Sequence, residues 1–116
     1  MKLQEIVEEL ELEVKTGGDR LDKEVKRGYV SDLMSDVIAN AQEGDLWVTL
    51  QIHLNIVAVA SMKDLCGIIL INKRQPEENT LERAKSENIP LFISELPAFE
   101  LVGRLYQLGI PGLSNA

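Results

Sequence analysis

Residues 44–72, GDLWVTLQIHLNIVAVASMKDLCGIILIN, read as strand, helix, strand. Leu46-Trp47-Val48-Thr49-Leu50 is short, apolar and β-branched, and Cys66-Gly67-Ile68-Ile69-Leu70-Ile71 is a second apolar run of strand length. Neither alternates cleanly, which is the pattern of parallel strands buried on both faces under helices. Between them, Asn55–Leu65 has the length of a three-turn crossover helix, the connection that adjacent parallel strands require. The two strands are therefore expected side by side in the middle of a sheet.

Working toward the N-terminus, Val25–Val30 reads as another strand, followed by a helix carrying Leu33, Met34, Val37, Ile38 and Ala41. Ser31 or Asp32 is the expected N-cap of that helix, and Gly44 its left-handed C-terminal cap. Further back, Thr16-Gly17-Gly18-Asp19 is a turn, since neither GxxxxGK[ST] nor GxGxxG surrounds the glycines. Leu12 and Val14 alternate with Glu13 and Lys15 as a short edge strand, and Leu3, Ile6, Val7 and Leu10 make one face of an amphipathic helix. Toward the C-terminus, Pro76-Glu77-Glu78 opens a surface helix with Leu81 and Ala84 facing inward, which Asn88 ends. Ile89–Ile93 is the last strand. Ser94 is an expected cap for a final helix bearing Leu101, Val102, Leu105 and Leu108, closed by Gly109 and Ile110. The order α-β-β-α-β-α-β-α-β-α predicts a three-layer α/β/α sandwich around a mostly parallel sheet. One domain spans residues 1–110, with 111–116 as a C-terminal tail.

Composition narrows the function classes. The 116-residue chain is 45% hydrophobic and 27% charged, with one Trp, two Tyr and two Phe, so its core is mostly aliphatic. Twelve basic against nineteen acidic residues give a net charge of −7, which argues against nucleic acid or an anionic membrane as partner. The single cysteine, Cys66, lies within an expected strand; it reads as a small buried hydrophobe in a reducing compartment. The amphipathic, acidic N-terminus is unlike a signal peptide, and no apolar run approaches the roughly 18 residues of a membrane span. The cytoplasm is the expected location.

In open α/β sheets, ligands sit beyond the carboxyl ends of the strands. That edge collects Ser31 and Asp32, then Gln51, His53 and Asn55, then Lys73 and Arg74. Together these are the candidate contacts for a small anionic ligand, helped by the helix N-termini that point the same way. His53, the only histidine, is either a functional base or ligand contact or a local helix-capping residue. Asp32 and Asp36 are either paired carboxylates or a cap and a solvated surface group. No zinc-ligand spacing is present and no nucleophile–base–orienter set can be assembled, so no metal, cofactor or catalytic residue is assigned.

The central helix is apolar on every side. Ile56, Val57, Ala58, Val59, Ala60 and Met62 leave few polar positions to face water, and a helix apolar all round is buried all round. In a chain this small, that points to a subunit interface or to cover from another domain, and those six residues are the expected interface of a homodimer.

The runs GYVSDLMSDV (28–37), GDLWVTLQ (44–51), His53 and NIVAVA (55–60) resemble the DRTGG domain family. So do NIPL (88–91), Phe99-Glu100, GRLY (103–106) and LGI (108–110). The likeness covers nearly the whole chain as far as Ile110. The literal DRTGG string is absent; KTGGDR (15–20) shares only its letters. The resemblance implies a fold shared with the N-terminal domains of HPr kinase/phosphorylase and Mur ligases. It also implies a non-catalytic accessory module like those inside CBS-domain pyrophosphatases and some phosphotransacetylases, often at a subunit interface. The P-loop kinase half, the pyrophosphatase metal motifs and the acetyltransferase domain of those proteins have no counterpart here. The expected function is thus a stand-alone regulatory or assembly module that self-associates, within a larger protein assembly or without one. The alternative is a sensor of a nucleotide or phosphorylated metabolite.

Overall fold

The computed structural model describes residues 1–112. Five helices and five strands follow one another in the predicted order. They are α1 (Leu3–Leu10), β1 (Glu13–Thr16), β2 (Arg27–Val30), α2 (Met34–Asn40), β3 (Asp45–Thr49), α3 (Asn55–Met62), β4 (Gly67–Leu70), α4 (Glu78–Ser86), β5 (Leu91–Ile93) and α5 (Ala98–Gln107). A single 3-10 turn, Gly18–Arg20, joins β1 to the segment before β2. The strands form one sheet in the order β1-β5-β4-β3-β2. β2 to β5 are parallel, and β1 runs antiparallel to β5 at the edge. β3 and β4 are adjacent and interior, as the 44–72 stretch requires.

The sheet explains why that stretch shows no alternation. Leu46, Val48, Ile69 and Phe92 share a core with Leu3, Ile6 and Leu10 of α1 and Leu101 and Leu105 of α5. Their neighbours Trp47, Ile68, Leu70, Leu91 and Ile93 share the opposite core with Val37 of α2, Ile56, Val57, Val59 and Ala60 of α3, and Ala84 of α4. Side chains alternate between faces, but both faces are apolar because both carry helices. Three successive parallel crossovers of one hand leave α2, α3 and α4 on the same face; α1 and α5 cover the other.

This packing overturns the argument that α3 needs a second subunit to bury it. Ile56, Val57 and Ala60 are fully buried and Val59 nearly so, because α3 lies between α2 and α4 and over Trp47, Ile68 and Leu70. Of the six residues expected at an interface, Ala58 and Met62 are the two that reach the surface.

Local signals hold unevenly. Gly109, at φ +100°, ends α5 in a left-handed turn. Its amide donates to Tyr106 O, and that of Ile110 to Leu105 O, the paired bonds of a Schellman cap. Asn88 ends α4 the same way, with bonds to Lys85 O and Ala84 O. The Gly-Gly turn is structural: Gly17 has φ +78°, and a Cβ there would lie 2.5 Å from Pro90 Cα. Two N-cap expectations fail, and Pro76 falls just outside the helix it is expected to open. α2 begins after Leu33 rather than at Ser31 or Asp32, because those side chains bond elsewhere. Glu77 and Pro97, not Pro76 and Ser94, precede α4 and α5. Gly44 does not cap α2, which stops at Asn40 with an extended Ala41; Gly44, φ +85°, instead turns the chain into β3. Most of the tail, residues 113–116, lies outside the described residues. Pro111 is held at the sheet edge, its carbonyl accepting from Gly28 N–H at 2.9 Å.

Candidate functional site

The carboxyl ends of β2 to β5 form one rim, and the nominated residues lie along it in three groups. Ser31, Asp32 and Gln51 come together where β2 and β3 end. Asp32 Oδ1 accepts from Thr49 Oγ1 at 2.8 Å and from Leu50 N–H at 2.7 Å. Gln51 Nε2 donates to Asp32 O at 2.9 Å, and Gln51 N–H donates to Thr49 Oγ1 at 3.1 Å. Ser31 Oγ accepts from Leu33 N–H, while Ser31 O accepts from Trp47 Nε1 at 2.8 Å. This knot ties the loop after β3 to the end of β2. Asp32 is neither a helix cap nor one of a carboxylate pair: it is a receptor for free backbone and hydroxyl donors.

Asp36 has a different partner. Tyr29 Oη donates to Asp36 Oδ2 at 2.8 Å. That hydrogen bond, with a further one from Ser31, holds the Asp36 carboxyl below its usual range. Burial, then the same carboxylate, pushes the Tyr29 phenol up. The pair fastens α2 to the edge strand.

His53 belongs to the second group. Its Nδ1 is 3.0 Å from Glu77 Oε2, with both side chains well exposed. Ile52 O accepts from Thr80 Oγ1 at 2.8 Å and from Glu77 N–H at 3.1 Å. The loop after β3 is thus also pinned to the start of α4. Asn55 opens α3 and is exposed. In the third group, Lys73 Nζ lies 3.6 Å from Glu95 Oε1, Lys73 N–H donates to Ser94 O at 2.8 Å, and Arg74 is exposed. None of the hydrogen bonds or ion pairs among the described residues joins one group to another.

Sequence reasoning missed the hydroxyls that fasten these loops. Thr49 and Thr80 are buried hydroxyls, and Thr80 sits on a helix that reads as surface. A threonine at the end of a buried strand was the available signal for Thr49; nothing local marked Thr80. Two hollows also lie away from the nominated residues. An apolar cavity of about 90 Å³ lies between β2 and α5, lined by Val30, Val48, Val102, Leu105, Tyr106 and Ile110 among others. An open groove of about 300 Å³ at the end of β5 is lined by Leu10, Glu11, Ser94, Glu95, Leu96 and Arg104.

At the opposite rim, Asp45 is fully buried and accepts from Arg27 Nε and Gln42 N–H, each at 2.8 Å. That pair locks the start of β3. Burial pushes the Cys66 thiol, beneath the α1/α5 face, up to about 11, so it stays a neutral thiol. Among the described residues, no group of three or more His, Cys, Asp and Glu could hold a metal ion, and no helix is long and apolar enough to cross a membrane.

The architecture is that of an α/β domain with a five-stranded, mostly parallel sheet between two helical layers. It is similar to the crystal structure of the CBS and DRTGG domains of the regulatory region of Clostridium perfringens pyrophosphatase, complexed with its activator diadenosine tetraphosphate. The TM-score is 0.73 at 20% sequence identity, over 95% of this chain and 47% of that one. The likeness supports a DRTGG-like domain, and at this identity it bears on the fold. This chain spans about half the length of that structure. No family model and no curated protein matches the chain.

Proposed function

We propose that this protein is a non-catalytic regulatory or assembly module of the cytoplasm that self-associates. The observation that carries the regulatory part is the fold: nearly the whole chain superposes on a structure that is itself a regulatory region. The chemistry of the rim points the same way. Asp32 is occupied by Thr49 and Leu50, His53 by Glu77 and Lys73 by Glu95. Among the described residues His53, the only histidine, is paired with Glu77 and with no hydroxyl, thiol or amine nucleophile, and a reaction site needs both together. Strands β2 to β5 follow in simple order, so the rim lacks the reversal at which doubly wound sheets open a crevice.

A second reading is favoured by the activator in the similar structure, a dinucleotide polyphosphate. In that reading the chain senses a nucleotide or phosphorylated metabolite, with Ser31, Asp32, Gln51, His53, Asn55, Lys73 and Arg74 as the contacts. Melting the protein against nucleotides, diadenosine tetraphosphate, sugar phosphates and divalent metal ions separates the two, since a ligand of the folded state raises Tm by mass action. A ligand that raises Tm and shifts the amide resonances of Gln51–Asn55 and Lys73-Arg74 supports the sensor. Flat melting curves across the screen, with a concentration-dependent sedimentation coefficient, support the assembly module. A monomer that binds nothing contradicts both.

A further inference from the structure

Among the described residues, the two most exposed large hydrophobic side chains are Phe99, 89% exposed, and Tyr106, 66% exposed. Both are on α5, whose inner face is already committed to the core through Leu101 and Leu105. Two turns apart, they flank Gly103 on the outer side, where a Cβ would meet nothing within 4 Å. Phe99, Glu100, Gly103, Arg104 and Gln107 line a shallow groove of about 190 Å³ there. On its far side, Tyr106 and Val102 continue to Val30 of β2 around the apolar cavity. Glu100 and Arg104 are exposed, and neither is in an ion pair among the described residues, although a Glu and an Arg four apart on a helix are placed to form one.

We propose that this outer face of α5 is where two copies of the chain meet, with their α5 helices crossing antiparallel beside Gly103. The proposal rests on the self-association reading and moves its surface from α3 to α5. The pairs Phe99/Tyr106 and Glu100/Arg104 have nearly the same midpoint along the helix. One two-fold axis therefore sets Phe99 against Tyr106 of the other copy and Glu100 against its Arg104, and repeats both contacts. This charge complementarity is what selects a second copy as the occupant: the stripe carries one acid and one base, placed to satisfy each other across a dyad. Gly103 lets the backbones approach closely.

Sedimentation equilibrium of the wild type, Phe99→Ser, Glu100→Arg, Arg104→Glu and an equimolar mixture of the last two tests the idea. The wild type is expected to dimerise and each variant to raise Kd by on the order of tenfold to a hundredfold, the two charge reversals because like charges then oppose across the contact and Phe99→Ser because the aromatic contact is lost. Mixing Glu100→Arg with Arg104→Glu should restore the dimer, because opposite charges face each other again in the hetero-pair. All three positions are exposed, so Tm of each variant should stay close to wild type. A monomeric wild type overturns this proposal together with the self-association reading. A dimeric wild type whose variants all still dimerise overturns the α5 surface alone. Folded variants that dissociate, but are not rescued by mixing, overturn the antiparallel pairing.

Discussion

Helices α3 and α5 look opposite in sequence and behave opposite to expectation. α3 reads as apolar on all sides, yet its four best-buried residues are satisfied inside its own layer by α2, α4 and the sheet. α5 reads as a well-behaved amphipathic helix, yet it carries the largest apolar groups left in water. A middle helix on a three-helix face is covered on both flanks as well as below. Among the described helices α5 shares its face with α1 alone, and it has one buried stripe and an open back. Apolar content alone does not decide what stays in water; the number of neighbours does.

The comparison breaks first at Ile56. Ile56→Ala should cost about 2–5 kcal/mol of unfolding free energy, because the layer cannot collapse into the space. A loss under 1 kcal/mol in urea denaturation would mean that α3 is not the packed centre of its face.

The next effect probes the opposite core. The Cys66 thiol titrates near 9 when unfolded and near 11 when folded. The neutral form is the one the fold favours, so the folded state holds the extra proton between those values. Stability from this group is complete below pH 9 and falls as pH rises through 11, by on the order of 2 kcal/mol. Cys66→Ala should flatten that alkaline limb, and native Cys66 should resist alkylation at pH 8 until urea is added. Rapid native labelling would show that the α1/α5 face is open.

Smaller still is the fastening of α2. The Asp36 carboxyl is lowered by its bond from Tyr29, so its contribution is present above its unfolded value and lost as pH falls through the folded one. Tyr29→Phe should lower Tm at pH 7 and make the decline below the ordinary aspartate value of 3.8 shallower. Parallel Tm-against-pH curves for wild type and variant would remove the link.

The smallest expected effect is at Ala58. Ala58→Glu should change stability by less than about 0.5 kcal/mol and leave the sedimentation profile as it is. Dissociation by Ala58→Glu, with Phe99→Ser still dimeric, would return the interface to α3.

Much of the carboxyl rim was visible before the structure, but as residues rather than as contacts. Ser31, Asp32 and Gln51 could be named from the strand ends, and they do meet. That Asp32 would face Thr49 and Leu50 instead of capping α2 could not be read from the chain. A short polar side chain at a strand end can serve its own helix or a neighbouring strand, and the local sequence is the same for both. His53 was nominated without Glu77, since the contact depends on where the start of α4 lands against the loop after β3. The helix stops at Asn88 and Gly109 were legible because a left-handed turn is a local requirement with few residue types to meet it.

What the sequence determined by itself is therefore the list of elements, their order and their parallel, two-sided burial. Each is a short-range matter of run length, periodicity and turn chemistry acting over a few residues. The tertiary structure alone decided which helices share a face, which polar groups satisfy each other at the rim, and which apolar groups stay in water. Those outcomes depend on distances between segments far apart in the chain. Val57 and Met62 have equal claim to burial in the sequence; only the arrival of α2 and α4 on either side of α3 covers one and leaves the other exposed.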